Sequence, residues 1–244
     1  MDYYNDIYKK RINKYGTSYL QRIQGRREEE FERRLIKSVY KVSFNFNNEL
    51  QDATLERYKQ DDTQTLQYLL TRRNLQIPAG TIIEILSDQN SSEVTRWMVY
   101  WLENVRASGY NRYIVLKMTH LLQWEDREGN QRESWAYMFG QENNMLKDEL
   151  KSRSRSNVLY NENLKLSFFI MPLNPYIQKD IYIEIGQDEL KEGYRVTGYD
   201  RQSSEGVEYV SVDPIYLFDT STITTPQSQR TGEEWDWLNM RGDK

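Results

Sequence analysis

The chain has 244 residues, enough for one large domain or two small ones with buried cores. Its 19 Tyr, 7 Phe and 6 Trp exclude a solvated disordered chain, and a net charge of −4 gives no general attraction for nucleic acid or membrane. There is no Cys, which rules out disulfides, thiolate metal sites and a cysteine nucleophile. The opening MDYYNDIYKK lacks the apolar stretch of a secretory signal, and no run approaches the roughly 18 apolar residues of a membrane span. The expectation is a soluble protein made in the cytoplasm.

Residues 1–37 read as a helical N-terminal arm, broken at Gly16. Thr17 or Ser18 is the candidate N-cap of the second helix, whose apolar stripe runs through Leu20, Ile23, Phe31, Leu35 and Ile36. RREEEFERR adds acid–base pairs three and four apart, each contributing about 0.2–0.5 kcal/mol. The period then changes to two: Tyr40, Val42, Phe44 and Phe46 fall on one side of a strand that ends at the Asn47-Asn48 turn. Two further strand-like runs, ATLERYKQ and QTLQYLLTRR, lead into IPAGTIIEI at 77–85, which IQKDIYIEI echoes at 177–185.

The segments on either side of the two copies make the echo a repeat. Each copy is succeeded by a polar turn, a strand (TRWMVYWLENV; YRVTGYD), a turn with a Gly, and another strand (NRYIVLKM; VEYVSVDPIYLF). The strand before each copy also corresponds, QYLLTRR before the first and LKLSFFIM before the second. The predicted fold is therefore mainly β with an N-terminal helical arm and two related small barrel- or sandwich-like modules. Between the copies, THLLQWEDREGNQRESWAYMFG reads as a hairpin around Gly129-Asn130, with Trp124 and Trp135 placed to pair across its stems. The expected boundaries are 1–37 arm, 38–140 first module with the hairpin, 141–157 linker, 158–220 second module and 221–244 flexible tail.

A search for chemistry returns little. The single His, His120, lies among apolar neighbours on a strand and reads as structural, since a triad needs a base beside a nucleophile and no carboxylate spacing completes a metal site. Glu84 and Glu184 recur in both copies and are the best carboxylate pair for a cell-wall or carbohydrate hydrolase. The competing reading points them outward between Ile83/Ile85 and Ile183/Ile185. Phosphate-cradling glycine motifs and a calcium-loop spacing are both missing, so no cofactor, metal or catalytic residue is expected. KSRSRSN at 151–157 could meet phosphates through Arg153 and Arg155, or an acidic neighbouring subunit.

Taken together, I-P-A-G-T-I-I-E-I, R-W-M-V-Y-W-L-E-N and G-Y-N-R-Y-I-V-L-K-M-T-H-L-L-Q-W resemble the neck proteins of tailed bacteriophages of Firmicutes hosts, known as head–tail connector, head closure or stopper proteins. The resemblance spans roughly residues 38–220, although such stoppers are about half this length and hold one barrel. It implies a virion structural protein, without enzymatic activity, in a sixfold or twelvefold ring between portal and tail. The ring would extend the channel through which phage DNA passes without sequence-specific binding. Its partners would be copies of itself, a portal or adaptor, and tail proteins, with no membrane. Candidate interface residues are Arg127 and Glu128 at the hairpin tip, Arg153 and Arg155, and Trp235, Trp237 and Leu238 in the tail. The polar tips 87–93, 125–132 and 201–206 are expected to face the channel or the next ring. The rivals are another tail or baseplate protein, the carboxylate hydrolase, and a host adaptor acting as a monomer.

Overall fold

The computed structural model describes residues 2–14, 16, 18–59, 65–86, 94–103, 109–139, 167–186, 192–202 and 205–215. Two helices, α1 (Asp2–Asn13) and α2 (Tyr19–Lys37), precede twelve strands. Ser18 is the α2 N-cap: its side chain accepts from the Gln21 amide while the Gln21 side chain accepts from the Ser18 amide, a reciprocal capping box. The helices separate at Gly16, as the sequence predicts.

The strands form two closed antiparallel barrels. The first runs β1 (Lys41–Phe46), β2 (Glu49–Arg57), β3 (Leu66–Arg72), β4 (Ile82–Leu86), β5 (Val94–Glu103) and β6 (Tyr110–Met118), in spatial order 1-2-3-6-5-4. The second runs β7 (His120–Glu125), β8 (Gln131–Phe139), β9 (Ser167–Pro172), β10 (Tyr182–Ile185), β11 (Glu192–Asp200) and β12 (Val207–Ile215), in order 7-8-9-12-11-10. These are the same topology, and the two echoed segments end in the corresponding strands β4 and β10. Their local bonding also matches: Gly80 N donates to Val99 O at 2.7 Å, and Asp180 N to Val196 O at 2.8 Å. Both barrels skip one residue in the β5–β6 or β11–β12 register, between Val99 and Trp101 and between Val196 and Gly198. A bulge at one place in two modules is a repeat at the level of hydrogen bonding.

Two expectations need correction. The hairpin 120–139 belongs to the second barrel, because β7 pairs with β10 and β8 with β9. It is the counterpart of the β1–β2 hairpin, so the first barrel ends at Met118. Trp124 and Trp135 do not face one another, since Trp124 stands opposite Arg132 and Leu121 opposite Trp135. That offset puts them on different faces: Trp124 packs inside barrel 2, and Trp135 against the apolar seam between the barrels. Closure leaves no free sheet edge among the described strands. The expected linker, the opening of the second module through residue 166, and the segment from 216 onward lie outside the described residues.

Each barrel has its own interior. Phe44, Leu69, Ile83, Ile85, Trp97 and Val115 fill the first, and Leu122, Phe169, Met171, Ile183, Val196 and Val210 the second. A third cluster lies between them, where Met98, Tyr100, Ile114 and Leu116 of barrel 1 pack on Phe168, Ile170, Val207 and Tyr209 of barrel 2. The unbroken apolar runs of the sequence are thus strands covered on both faces: in FFIM, Phe169 and Met171 point into the barrel while Phe168 and Ile170 point into the seam. At the seam Gly206 meets the backbone of Ala79 and Gly80. A Cβ on Gly206 would lie 2.1 Å from Ala79 O, and its φ of +74° already disfavours any side chain. Gly206→Ala is expected to lose about 2–4 kcal/mol in chemical denaturation, while Gly198→Ala, where nothing lies within 4 Å, stays within about 0.5 kcal/mol of the parent.

Candidate functional site

Stacking of layers is the organising feature of the surface. On barrel 1, the outer side of the β3–β6 pair carries Tyr68, Leu70 and Tyr110, and α2 covers it with Phe31 and Leu35. The Phe31 and Tyr110 rings are 5.2 Å apart. Glu32 accepts from Arg72 Nε at 2.7 Å, and Gly109 lets the barrel turn press against the α2 backbone, a Cβ there falling 2.3 Å from Arg27 O. On barrel 2, the corresponding residues Phe168, Ile170 and Val207, with Gly206 in place of Gly109, are covered by barrel 1. Helix α2 does for the first barrel what the first barrel does for the second.

The loop that enters β4 or β10 is pinned differently in each module. In barrel 1, Asn111 Nδ2 donates to the carbonyls of Arg73 (3.0 Å) and Leu75 (2.7 Å), and Tyr113 Oη donates to Leu75 O. Glu208 occupies the Asn111 position in barrel 2 and has no proton to give when ionised. Arg201 substitutes: it donates through Nε to Glu208 at 2.7 Å and through NH2 to the carbonyls of Asn174 and Ile177. At the two ends of the 201–206 tip, Arg201 is committed to the loop entering β10 and Gly206 to barrel 1, while Gln202 and Glu205 are exposed; residues 203 and 204 lie outside the described residues. The tip at 87–93 lies outside the described residues.

The 125–132 tip does project. Asp126 is buried and accepts from the amides of Glu128 and Asn130, both at 2.9 Å, and from Arg132 Nε at 2.8 Å. Burial pushes its carboxyl up, but the Asn130 amide, Arg132 and the remaining donors outweigh this and hold it at about 2. Arg132 also lies over the Tyr176 ring at 3.9 Å. Arg127 and Glu128 are exposed on this braced turn, and they are the only sequence-selected interface residues within the described set. Arg153, Arg155, Trp235, Trp237 and Leu238 lie outside it.

Residues that periodicity placed on apolar faces, Leu20, Ile36 and Tyr40 among them, instead form an exposed apolar surface. At the α2–β1 junction Ile36, Val39 and Tyr40 are 76%, 89% and 63% exposed, and Tyr19 and Leu20 project from the start of α2. Trp101 and Leu102 are exposed near the end of β5. A stripe of hydrophobic residues reads as core in sequence, so only tertiary packing could show which of them stay uncovered.

The remaining chemical candidates occupy ordinary places. Glu84 accepts from Arg96 Nε at 2.8 Å on the exterior of barrel 1, with Ile83 and Ile85 buried on either side of it. Glu184 sits at the matching position in β10, opposite Gln123 and Gly193. His120 is half-buried, with Nδ1 2.7 Å from Thr119 Oγ1; burial pushes its pKa down, against the opposing charge of Glu192. Among the described residues no group of three His, Asp or Glu could hold a metal, and no helix is long and apolar enough to cross a membrane.

No protein-family model matches the chain, and no curated protein matches it. Among solved structures it is similar to MrkH, a c-di-GMP-dependent transcription regulatory factor, with a TM-score of 0.24 and 10% identity over 84% of this chain and 86% of that one. It is also similar to K. pneumonia MrkH in its apo state, with a TM-score of 0.23 and 12% identity over 82% and 85%. At these scores the likeness carries no argument about function.

Two of the buried carboxylates of barrel 2, Asp126 and Glu208, respond oppositely to pH. Asp126 is depressed, so its stabilisation is complete above 3.8 and is lost as pH falls through about 2. Glu208 is raised by burial against the pull of Arg201, so it favours the folded state below 4.5 and loses that contribution as pH rises through its folded value. Asp126→Asn should abolish the acid-side loss of protection at the Glu128 and Asn130 amides in hydrogen exchange. Glu208→Gln should flatten the stability profile above pH 4.5. Unchanged profiles in these variants would contradict the assignments.

Proposed function

We propose that the protein is a structural subunit of a tailed-phage neck, one member of a ring between portal and tail. The observation that carries this reading is the combination of a twice-used barrel, its two copies joined through an apolar seam, with a helical arm that leaves Ile36, Val39 and Tyr40 in solvent. Apolar surface of this kind is what a subunit retains for its neighbours. The resemblance of the β4–β7 strands to neck proteins supports the same role. Glu84 is paired with Arg96, Asp126 with Arg132 and Glu208 with Arg201, and His120 lies against Thr119, which favours construction over catalysis.

In this reading, neighbouring copies meet by heterologous contacts that close into a ring. The arm junction supplies apolar contact area, and the braced Arg127–Glu128 tip supplies a charged contact toward an adjacent ring. The tail, with Trp235, Trp237 and Leu238, adds a second point of attachment to another subunit.

Electron microscopy of the protein mixed with its portal is the direct test. A ring of six or twelve subunits seated on the portal is expected; a stable monomer that never binds a portal would overturn the reading. Val39→Ser with Tyr40→Ser should leave the fold intact and weaken ring assembly at least about tenfold in sedimentation, since each removes an exposed apolar contact. Deleting 223–244 should also reduce assembly, and unchanged sedimentation would remove the tail from the interface.

A further inference from the structure

The equivalence of the two barrels makes one face conspicuous. Barrel 1 receives barrel 2 on Ala79, Gly80, Met98, Tyr100, Ile114 and Leu116. The registers place Lys179, Asp180, Arg195, Thr197, Ser211 and Asp213 at the same positions of barrel 2. These six positions, apolar or small on the receiving face, are charged or hydroxylic in barrel 2, while Met118 at the margin of the face keeps an apolar counterpart in Ile215. Lys179, Asp180 and Asp213 are exposed, and Arg195 NH2 lies 3.8 Å from Asp213 Oδ2.

The change at position 180 is the sharpest. Gly80 admits the incoming turn because a Cβ there would fall 1.9 Å from Gly206 O. Asp180 keeps the left-handed backbone, with φ +67° against +82° for Gly80, but restores the side chain that the close approach forbids. The turn geometry of a docking face has been retained while its fit has been removed. In stacked-repeat proteins, terminal units with polar outer faces have this role, because an apolar end would recruit another unit without limit.

We infer that the β11–β12 face of barrel 2 is a terminator of the stack, so that copies of this chain associate side by side and never end to end. Helix α2 closes the opposite end, covering Tyr68, Leu70 and Tyr110. The partner the terminator rejects is a second copy presenting its β3–β6 face. This inference rests on the internal repeat and is independent of the neck reading.

The test transplants the residues of barrel 1 onto barrel 2 in the full chain: Lys179→Ala, Asp180→Gly, Arg195→Met and Asp213→Leu. A second set, Phe31→Ser with Leu35→Ser, loosens α2 from the other end. Neither set alone should change the sedimentation of the parent. Combined, they should produce linear oligomers whose mean mass rises several-fold over a tenfold increase in concentration. A combined variant with parent-like circular dichroism and parent-like sedimentation overturns the inference, as does polymerisation by the first set alone. A milder measurement guards against misfolding. Asp213→Cys in this cysteine-free chain, coupled to a bulky maleimide polymer, should leave the parent's own association unchanged; loss of that association would place the face inside an interface and overturn the inference.

Discussion

A small barrel can bury its interior by itself, but it cannot bury an apolar patch on its outside. Both barrels carry such a patch at the same place, on the outer side of β3 and β6 in one and of β9 and β12 in the other. Covering two patches of this kind requires two further layers, and the chain supplies them from its own N-terminal side: α2 over barrel 1, barrel 1 over barrel 2. Removing the large buried side chains at either joint would cost about 2–5 kcal/mol each, comparable with a large part of the stability of an ordinary domain. The order of the stack, its direction and its ends are all consequences of this requirement.

Backbone approach decides how tightly the layers can meet. Gly109 against Arg27, and Gly206 against Ala79 and Gly80, let the same turn of each module press into the preceding layer. Around that shared geometry the side-chain chemistry has diverged. Asn111 and Tyr113 pin the entry loop of β4 through neutral hydrogen bonds, whereas Arg201 pins the entry loop of β10 while paired with the buried Glu208. A buried ion pair is a costly substitute for an amide, and its presence is consistent with a position whose hydrogen bonds had to be kept while its residue type changed. Tyr100 and Tyr209, with hydroxyls 2.7 Å apart in the seam, set the lateral register of the two barrels.

The stack leaves some apolar and charged surface outside. With both barrels closed and both joints internal, the lateral contacts proposed for a ring would fall to the exposed apolar junction at Ile36–Tyr40 and to the braced hairpin tip. A charged outer face on barrel 2 keeps such contacts from being diverted into filaments, an advantage for any protein that must form a ring of fixed size.

The amino-acid sequence by itself determined the local elements. The change from helical to two-residue period at residue 38, the capped helix after Gly16, the Asn47-Asn48 turn and the strand pair IPAGTIIEI and IQKDIYIEI are all short-range signals, and alternation correctly put Ile83, Ile85, Ile183 and Ile185 inside. Tertiary structure alone decided which strands pair and which outer faces are covered. Hairpin 120–139 has the same internal pattern whichever barrel it joins, so its place in barrel 2 depends on β9 and β10, partners far along the chain. The loop 201–206 is polar and reads as solvated, yet Gly206 sits in a backbone contact that no residue type announces. Ile36 and Leu35 are adjacent and almost alike, and only the direction in which α2 meets barrel 1 buries one and exposes the other. Periodicity records the side of an element on which a residue lies; the group that stands opposite that side is set by contacts distant in sequence.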